Sequence, residues 1–232
     1  MERTFSWARP TTARSSPAPV LAAYYDAVII ISELAAQFSD EAWNRPTPCT
    51  DWRAVDLAGH LRCMADDYHE YLDDAPVSRL ARLMATGVHP DTLARKLARQ
   101  NAAELAALPD STGPEHIAAF ASSARAYARR IRAVWDLPHH QYRDITVTVG
   151  GMAGAACAEW HLHAWDLARA LGKDYQPASP ETVLAGWRAG MPQLPVRIPV
   201  LLGRGRRPGD QWHALLRTSG RSPDWSASIA VP

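Results

Sequence analysis

The chain has 232 residues, 47% of them apolar, with 25 basic and 24 acidic side chains. That length suits one ordinary domain with or without an appendage, and a formal charge of +1 gives no electrostatic reason to expect nucleic acid or an anionic membrane as a partner. Three cysteines are too few, and odd in number, for a disulfide framework, which points to a reducing cytoplasm.

Residues 1–18 are rich in Ser, Thr, Pro and Arg without an apolar period and are expected to form a loose arm. They carry no apolar stretch of the secretory kind, and no apolar run along the chain approaches the roughly 20 residues of a membrane span. The basic residues are arginine except for Lys96 and Lys173, a skew typical of GC-rich coding sequence.

From Pro19 onward the pattern is helical. Leu21, Tyr24, Val28, Ile31, Ala35 and Phe38 recur at three- and four-residue steps and line one face of a first helix. Pro46 and Pro48 break the chain before a second helix that starts near Thr50–Arg53, with Leu57, His60, Leu61, Met64, Tyr68 and Tyr71 inward. Leu93, Leu97 and Leu105 suggest a shorter helix. A third long helix follows Pro114, with Ile117, Phe120, Ala124, Tyr127, Ile131 and Val134 on its stripe. Asp144–Val149 reads as extended and Gly150-Gly151 as its close. A fourth long helix, striped by Met152, Ala156, Glu159, His163, Leu167 and Ala170, stops at Gly172. Four such helices argue for a mainly α protein built on a four-helix bundle over residues 19–172. Residues 173–232 read as a linker and a small C-terminal appendage: a short helix at Glu181–Ala189, then weak strands at Val196–Leu202, Trp212–Thr218 and Trp225–Val231.

Two inward stripes carry polar residues where a bundle core should be apolar. His60 lies three residues after Leu57 and four before Met64. Glu159 and His163 are four apart and share one helical face. Burying a carboxylate without a partner costs several kcal/mol or neutralises it, and a divalent metal removes that cost. Two imidazoles and a carboxylate from facing helices leave an open position, the usual composition of a catalytic zinc centre; nickel, iron or manganese suits a similar set. His161, Asp166, His69 and Cys63 are alternatives close by. His161 should face away, about 200° round the helix from Glu159. Cys63 could reach the site but reads better as a small buried hydrophobe, and Cys49 is a candidate nucleophile with no histidine paired to it by sequence.

Pro48-Cys49-Thr50-Asp51-Trp52 with Val55-Asp56-Leu57-Ala58-Gly59-His60-Leu61, and then Glu159-Trp160-His161-Leu162-His163-Ala164-Trp165-Asp166-Leu167-Ala168-Arg169, resemble the two motifs of the DinB-like maleylpyruvate isomerase N-terminal family. The resemblance covers about residues 19–172 and implies an up-down-down-up bundle whose metal ligands fall on His60, Glu159 and His163. It further implies zinc and mycothiol, the low-molecular-weight thiol of actinobacteria, in an enzyme that isomerises or transfers the thiol to a small electrophile. Ala164 replaces the usual glycine of the second motif. The tail is short beside the isomerase's C-terminal domain, and its Arg197, Arg204, Arg206, Arg207, Arg217 and Arg221 could clamp a substrate carboxylate. The leading expectation is therefore a metal-dependent, thiol-using transferase or isomerase acting on a small molecule, as a monomer or homodimer. A hydrolase or cyclase on the same metal site, and a non-catalytic metal-binding stress module, are the rival readings.

Overall fold

The computed structural model describes residues 17–73, 90–196 and 210–226, and the structural statements below concern those residues. Residues 1–16 of the expected arm, residues 197–202 and 227–231 of two expected strands, and the candidate clamps Arg197, Arg204, Arg206 and Arg207 lie outside them, while residues 17 and 18 of the expected arm already belong to the first helix.

Seven α-helices and one two-stranded sheet are present: α1 (Pro17–Ala35), α2 (Ala54–Asp73), α3 (Pro90–Ala107), α4 (Gly113–Ile131), β1 (Pro138–Tyr142), β2 (Ile145–Thr148), α5 (Val149–Ala170), α6 (Pro180–Gly190) and α7 (Asp210–Thr218). The four long stripes of the sequence are α1, α2, α4 and α5. Their directions follow from which residues meet. Asp66 and Asp73 of α2 bond Ser123 and Arg130 of α4, so these two helices run parallel. Ala23 meets His161, and Gln37 just past α1 meets Lys173 just past α5, so α1 and α5 also run parallel. Between the pairs the sense reverses, since His60 faces His163 while Tyr68, further along α2, faces Trp160, earlier on α5. The bundle is therefore up-down-down-up. Its parallel central pair requires a long crossover, which contains α3.

Local chemistry sets the helix ends. Thr112 and Glu115 form a reciprocal capping box at the start of α4, and the Thr148 hydroxyl accepts from the Gly151 amide at the start of α5. Gly172 takes φ 72° just past α5, the left-handed conformation that glycine adopts without strain. The core is aromatic at mid-height, where Trp160 meets Tyr24, Tyr68 and Phe120 edge-on at centroid distances of 6.1, 5.7 and 5.0 Å. By length and composition α1 could cross a membrane, against the sequence expectation that no run comes close. In the fold its Tyr24, Val28 and Ile31 are fully buried, and the Tyr24 hydroxyl donates to the Ala124 carbonyl of α4 at 3.1 Å.

Three details differ from the sequence reading. Gly150 and Gly151 belong to the first turn of α5 rather than to a connection. The sheet's first strand, Pro138–Tyr142, is not among the expected elements. It pairs antiparallel with β2 through a bulge between Pro138 and His140, and its His139 and His140 are both buried, so it lacks the simple alternation of a half-buried strand. Trp212–Thr218 is helical, because Trp212, Leu215 and Leu216 are buried at helical spacing, with Asp210 and Arg217 at the ends that suit their charges.

The segment after Gly172 packs closely on the bundle. A Cβ built on Gly154 of α5 would stand 2.6 Å from the Gly186 Cα of α6, and one on Gly190 would stand 2.3 Å from the Gly151 carbonyl oxygen. Backbone therefore touches backbone along this contact. Trp187, Trp212 and Leu215 join the same continuous core as the bundle helices.

Candidate metal centre

The loop before α2 is shaped by Thr47, whose hydroxyl accepts from the Cys49 amide at 3.2 Å and donates to the Trp52 carbonyl at 3.0 Å. Asp51 completes the turn at φ 69°, a region in which a short polar side chain is among the few tolerated. The Arg53 amide donates to Asp56 at 2.9 Å and starts α2. This places the Trp52 ring against His60, centroids 4.6 Å apart. Across the bundle axis, the His60 and His163 rings meet at 5.2 Å, nearly perpendicular.

His60, Glu159 and His163, the three residues expected from the sequence, all line one cavity of about 540 Å³. A Glu159 carboxylate oxygen lies 3.9 Å from Nε2 of His163. His60 and His163 are only 5% and 4% exposed. Nδ1 of His60 and Nε2 of His163 are buried with no hydrogen-bond partner, an arrangement that costs about 1–3 kcal/mol per orphaned group unless something else binds there. Burial first, then the neighbouring His163 and Arg221, holds His60 well below the usual imidazole range. Both effects favour the neutral imidazole, the form that offers a lone pair.

Behind His163 stands a saturated carboxylate. Nδ1 of His163 lies 2.9 Å from Oδ2 of Asp166 and 3.2 Å from a terminal nitrogen of Arg221; the carboxylate is the nearer partner and favours a proton on Nδ1, with Nε2 turned to the cavity side. Arg221 donates from Nε to Oδ1 at 2.8 Å and from a terminal nitrogen to Oδ2 at 2.6 Å. The Cys49 thiol donates to the same Oδ2 at 3.2 Å. Burial alone would raise the Asp166 carboxyl; the charge of Arg221 and the bonds from His163 and Arg221 outweigh it and hold the group well below the usual carboxylate range. Burial and the adjacent Asp166 push the Cys49 thiol well up.

Ligand atoms of Cys49, His163 and Asp166 lie within 4.8 Å of one another, close enough to hold an ion by distance alone. Their bonding argues against that use. The atoms already bond to each other, and the Arg221 guanidinium occupies the side that a dication would need. Asp166, held by Cys49 and Arg221, is a support for His163, whereas the orphaned nitrogens and Glu159 are of the donor types that a divalent cation takes.

The other candidates fall elsewhere. His161 faces away, as its helical position requires: Nε2 lies 3.0 Å from the Ala23 carbonyl and Nδ1 2.5 Å from the Tyr175 hydroxyl, so both nitrogens are satisfied. His69 meets the Ser123 carbonyl at 3.0 Å. Cys63 is half-buried, its thiol pushed up to about 11, mainly by burial. Asp166 supports a candidate ligand instead of joining the set. Arg221, a candidate substrate clamp by sequence, instead clamps Asp166, with a side chain 8% exposed. Its role had no signal in the sequence, because 55 residues separate it from its partner.

An up-down-down-up helical bundle with two imidazoles and a carboxylate converging on a central cavity defines the class of DinB-like metal-binding bundles. Within that class, the chain belongs to the mycothiol maleylpyruvate isomerase N-terminal domain family, whose model matches residues 25–168. No curated protein and no solved structure matches it.

Proposed function

We propose that this protein is a metal-dependent enzyme in which His60, Glu159 and His163 hold one divalent ion, zinc foremost, and a low-molecular-weight thiol attacks a small electrophile. Mycothiol is the thiol that the family's description suggests. In S-transfer by addition, the S–H bond breaks and the sulfur bonds to one carbon of an electrophilic C=C, whose other carbon takes the proton as the π bond opens. In isomerisation the thiolate adds to the C=C, the resulting single bond rotates, and expulsion of the same thiolate restores the double bond. The observation that carries the reading is the pair of buried, unpartnered imidazole nitrogens beside Glu159 in a cavity large enough for a small molecule. A divalent ion held by His60, Glu159 and His163 would supply Lewis acidity and would favour the thiolate form of a thiol bound to it at neutral pH.

The chain's own residues then have defined tasks. Asp166 fixes the tautomer and direction of His163, and Arg221 keeps Asp166 ionised. His60 stays neutral under burial, and Trp52 packs on its ring and walls the cavity. Cys49 is held as a thiol, donating to Asp166, so the chain's sulfur does not compete with a thiol from outside. Three free cysteines suit a reducing compartment.

The test is spectroscopic. Cobalt(II)-loaded protein should gain a sulfur-to-cobalt charge-transfer band on addition of mycothiol, and turnover of an electrophile should require that thiol. Full turnover without any thiol, together with no change in the cobalt spectrum, would favour the hydrolase or cyclase reading.

A further inference from the structure

We infer that the Tyr68 hydroxyl is the hydrogen-bond donor for the substrate oxygen on which charge gathers when a thiolate adds to a C=C conjugated to it. The inference rests on the proposed thiol chemistry for the reaction, and on the fold for the donor.

Tyr68 is 4% exposed and lines the cavity shared by His60, Glu159 and His163. It follows His60 on the inward stripe of α2, and long side chains on a helix lean back toward its N-terminus, which here is the direction of His60. Its ring is fixed by Tyr71, Tyr127 and Trp160, at 5.8, 5.4 and 5.7 Å between centroids. Among the described residues the hydroxyls of Tyr24 and Tyr71 donate to the Ala124 carbonyl and to Asp67, whereas that of Tyr68 has no partner. A buried donor without an acceptor costs stability, and a phenylalanine would fill the same aromatic cluster without that cost. The acceptor this donor lacks is one that arrives from outside.

Burial and then the charge of Glu159 push the phenol well above its ordinary range, and at neutral pH a phenol is a donor in any case. Thr50, Gln100 and Asn101 also line the cavity, but they are exposed or half-buried; Tyr68 is the donor whose place the core sets before a substrate enters. As sulfur bonds to the far carbon of the C=C, the π electrons move toward the carbonyl carbon and the C=O electrons move onto oxygen. The Tyr68 O–H donates to that oxygen and keeps its proton. Such a bond strengthens as the charge develops and so acts on the transition state. An oxygen that also faced a metal ion would still have a second lone pair for this donor.

Two probes test the donor by equilibrium titration of the full-length, metal-containing protein: 4-nitrophenolate, whose charged oxygen stands in for the enolate, and nitrobenzene, which lacks that oxygen. Tyr68→Phe removes the hydroxyl and keeps the ring, so its thermal unfolding should be no lower than that of wild type. The variant should bind 4-nitrophenolate at least about tenfold more weakly, as for a lost hydrogen bond to a charged acceptor, with nitrobenzene changed less than about twofold. Both probes weakened alike, neither weakened, or no binding of 4-nitrophenolate to wild type overturns the inference. Metal analysis of the same samples separates the two readings. If the protein holds no metal yet the variant loses affinity for 4-nitrophenolate alone, the metal reading fails and this one stands; if metal is present and both probes weaken alike, the reverse holds.

Discussion

Arg221 and Asp166 form a bidentate ion pair inside the protein, with Asp166 wholly buried and the bonds at 2.8 and 2.6 Å. The pair links the segment beyond the bundle to a histidine on the cavity wall, because Asp166 also bonds Nδ1 of His163. Removing one partner leaves an uncompensated buried charge, which typically costs about 3–5 kcal/mol. Arg221→Met should therefore lower stability by that order in urea denaturation. Arg221→Met with Asp166→Leu should regain much of the loss, since replacing a whole buried pair with apolar groups is often neutral. A double variant no more stable than the single one would show that the pair does not act as a unit.

The same pair should matter to metal affinity without supplying a ligand. Groups that orient a metal-binding histidine typically contribute about 10–100-fold in affinity. Asp166→Asn should lower zinc affinity within that range, with the ion still bound at saturating zinc. Competition with a chromophoric chelator measures it. Unchanged affinity would mean that His163 is held by packing alone.

The contact between α5 and α6 depends on Gly154 and Gly186: a Cβ added to Gly154 would lie 2.6 Å from the Gly186 Cα, and one added to Gly186 would lie 2.7 Å from the Gly154 carbonyl oxygen. Gly154→Val should cost at least about 1–3 kcal/mol, the usual range for forced overpacking, because backbone on the far side cannot move as a flexible side chain would. Thermal unfolding measures this. A neutral result would mean that α6 can shift away from the bundle at little cost.

His139 and His140 give a pH dependence with a definite sign. Their Nδ1 atoms lie 2.9 Å apart, and both imidazoles are pushed down to about 4, chiefly by burial. In the unfolded chain they titrate near 6.5. Between these values the unfolded state holds more protons, so stability falls as pH drops from about 6.5 toward 4, by up to about 1.4 kcal/mol per pH unit for each histidine. Urea midpoints measured at pH 7.5 and pH 5 should show the loss, and His140→Asn should reduce it. A midpoint that does not move over that interval would contradict the assignment.

Much of the fold and the three expected site residues could be read from local spacing, because helix periodicity is local. His60 lies on the stripe between Leu57 and Met64, and Glu159 and His163 are one turn apart, so the helix geometry itself brings them inward. The rest depends on distant partners. Nothing near Arg221 in sequence announces Asp166, and Gly150-Gly151 resembles a turn until Gly190 is seen against it. β1 hides behind two consecutive histidines at a bulge, and α7 resembles a strand in sequence because Trp212, Ala214 and Leu216 imitate its alternation.

The central claim is that His60, Glu159 and His163 hold the ion while Cys49 and Asp166 serve as support. The most direct test is metal content by elemental analysis after zinc loading and desalting, on wild type, His60→Ala, Glu159→Ala, His163→Ala and Cys49→Ser. Wild type and Cys49→Ser should each retain about one zinc per chain, and the other three should retain little. Wild type holding none, or Cys49→Ser losing zinc while His60→Ala keeps it, would contradict the account.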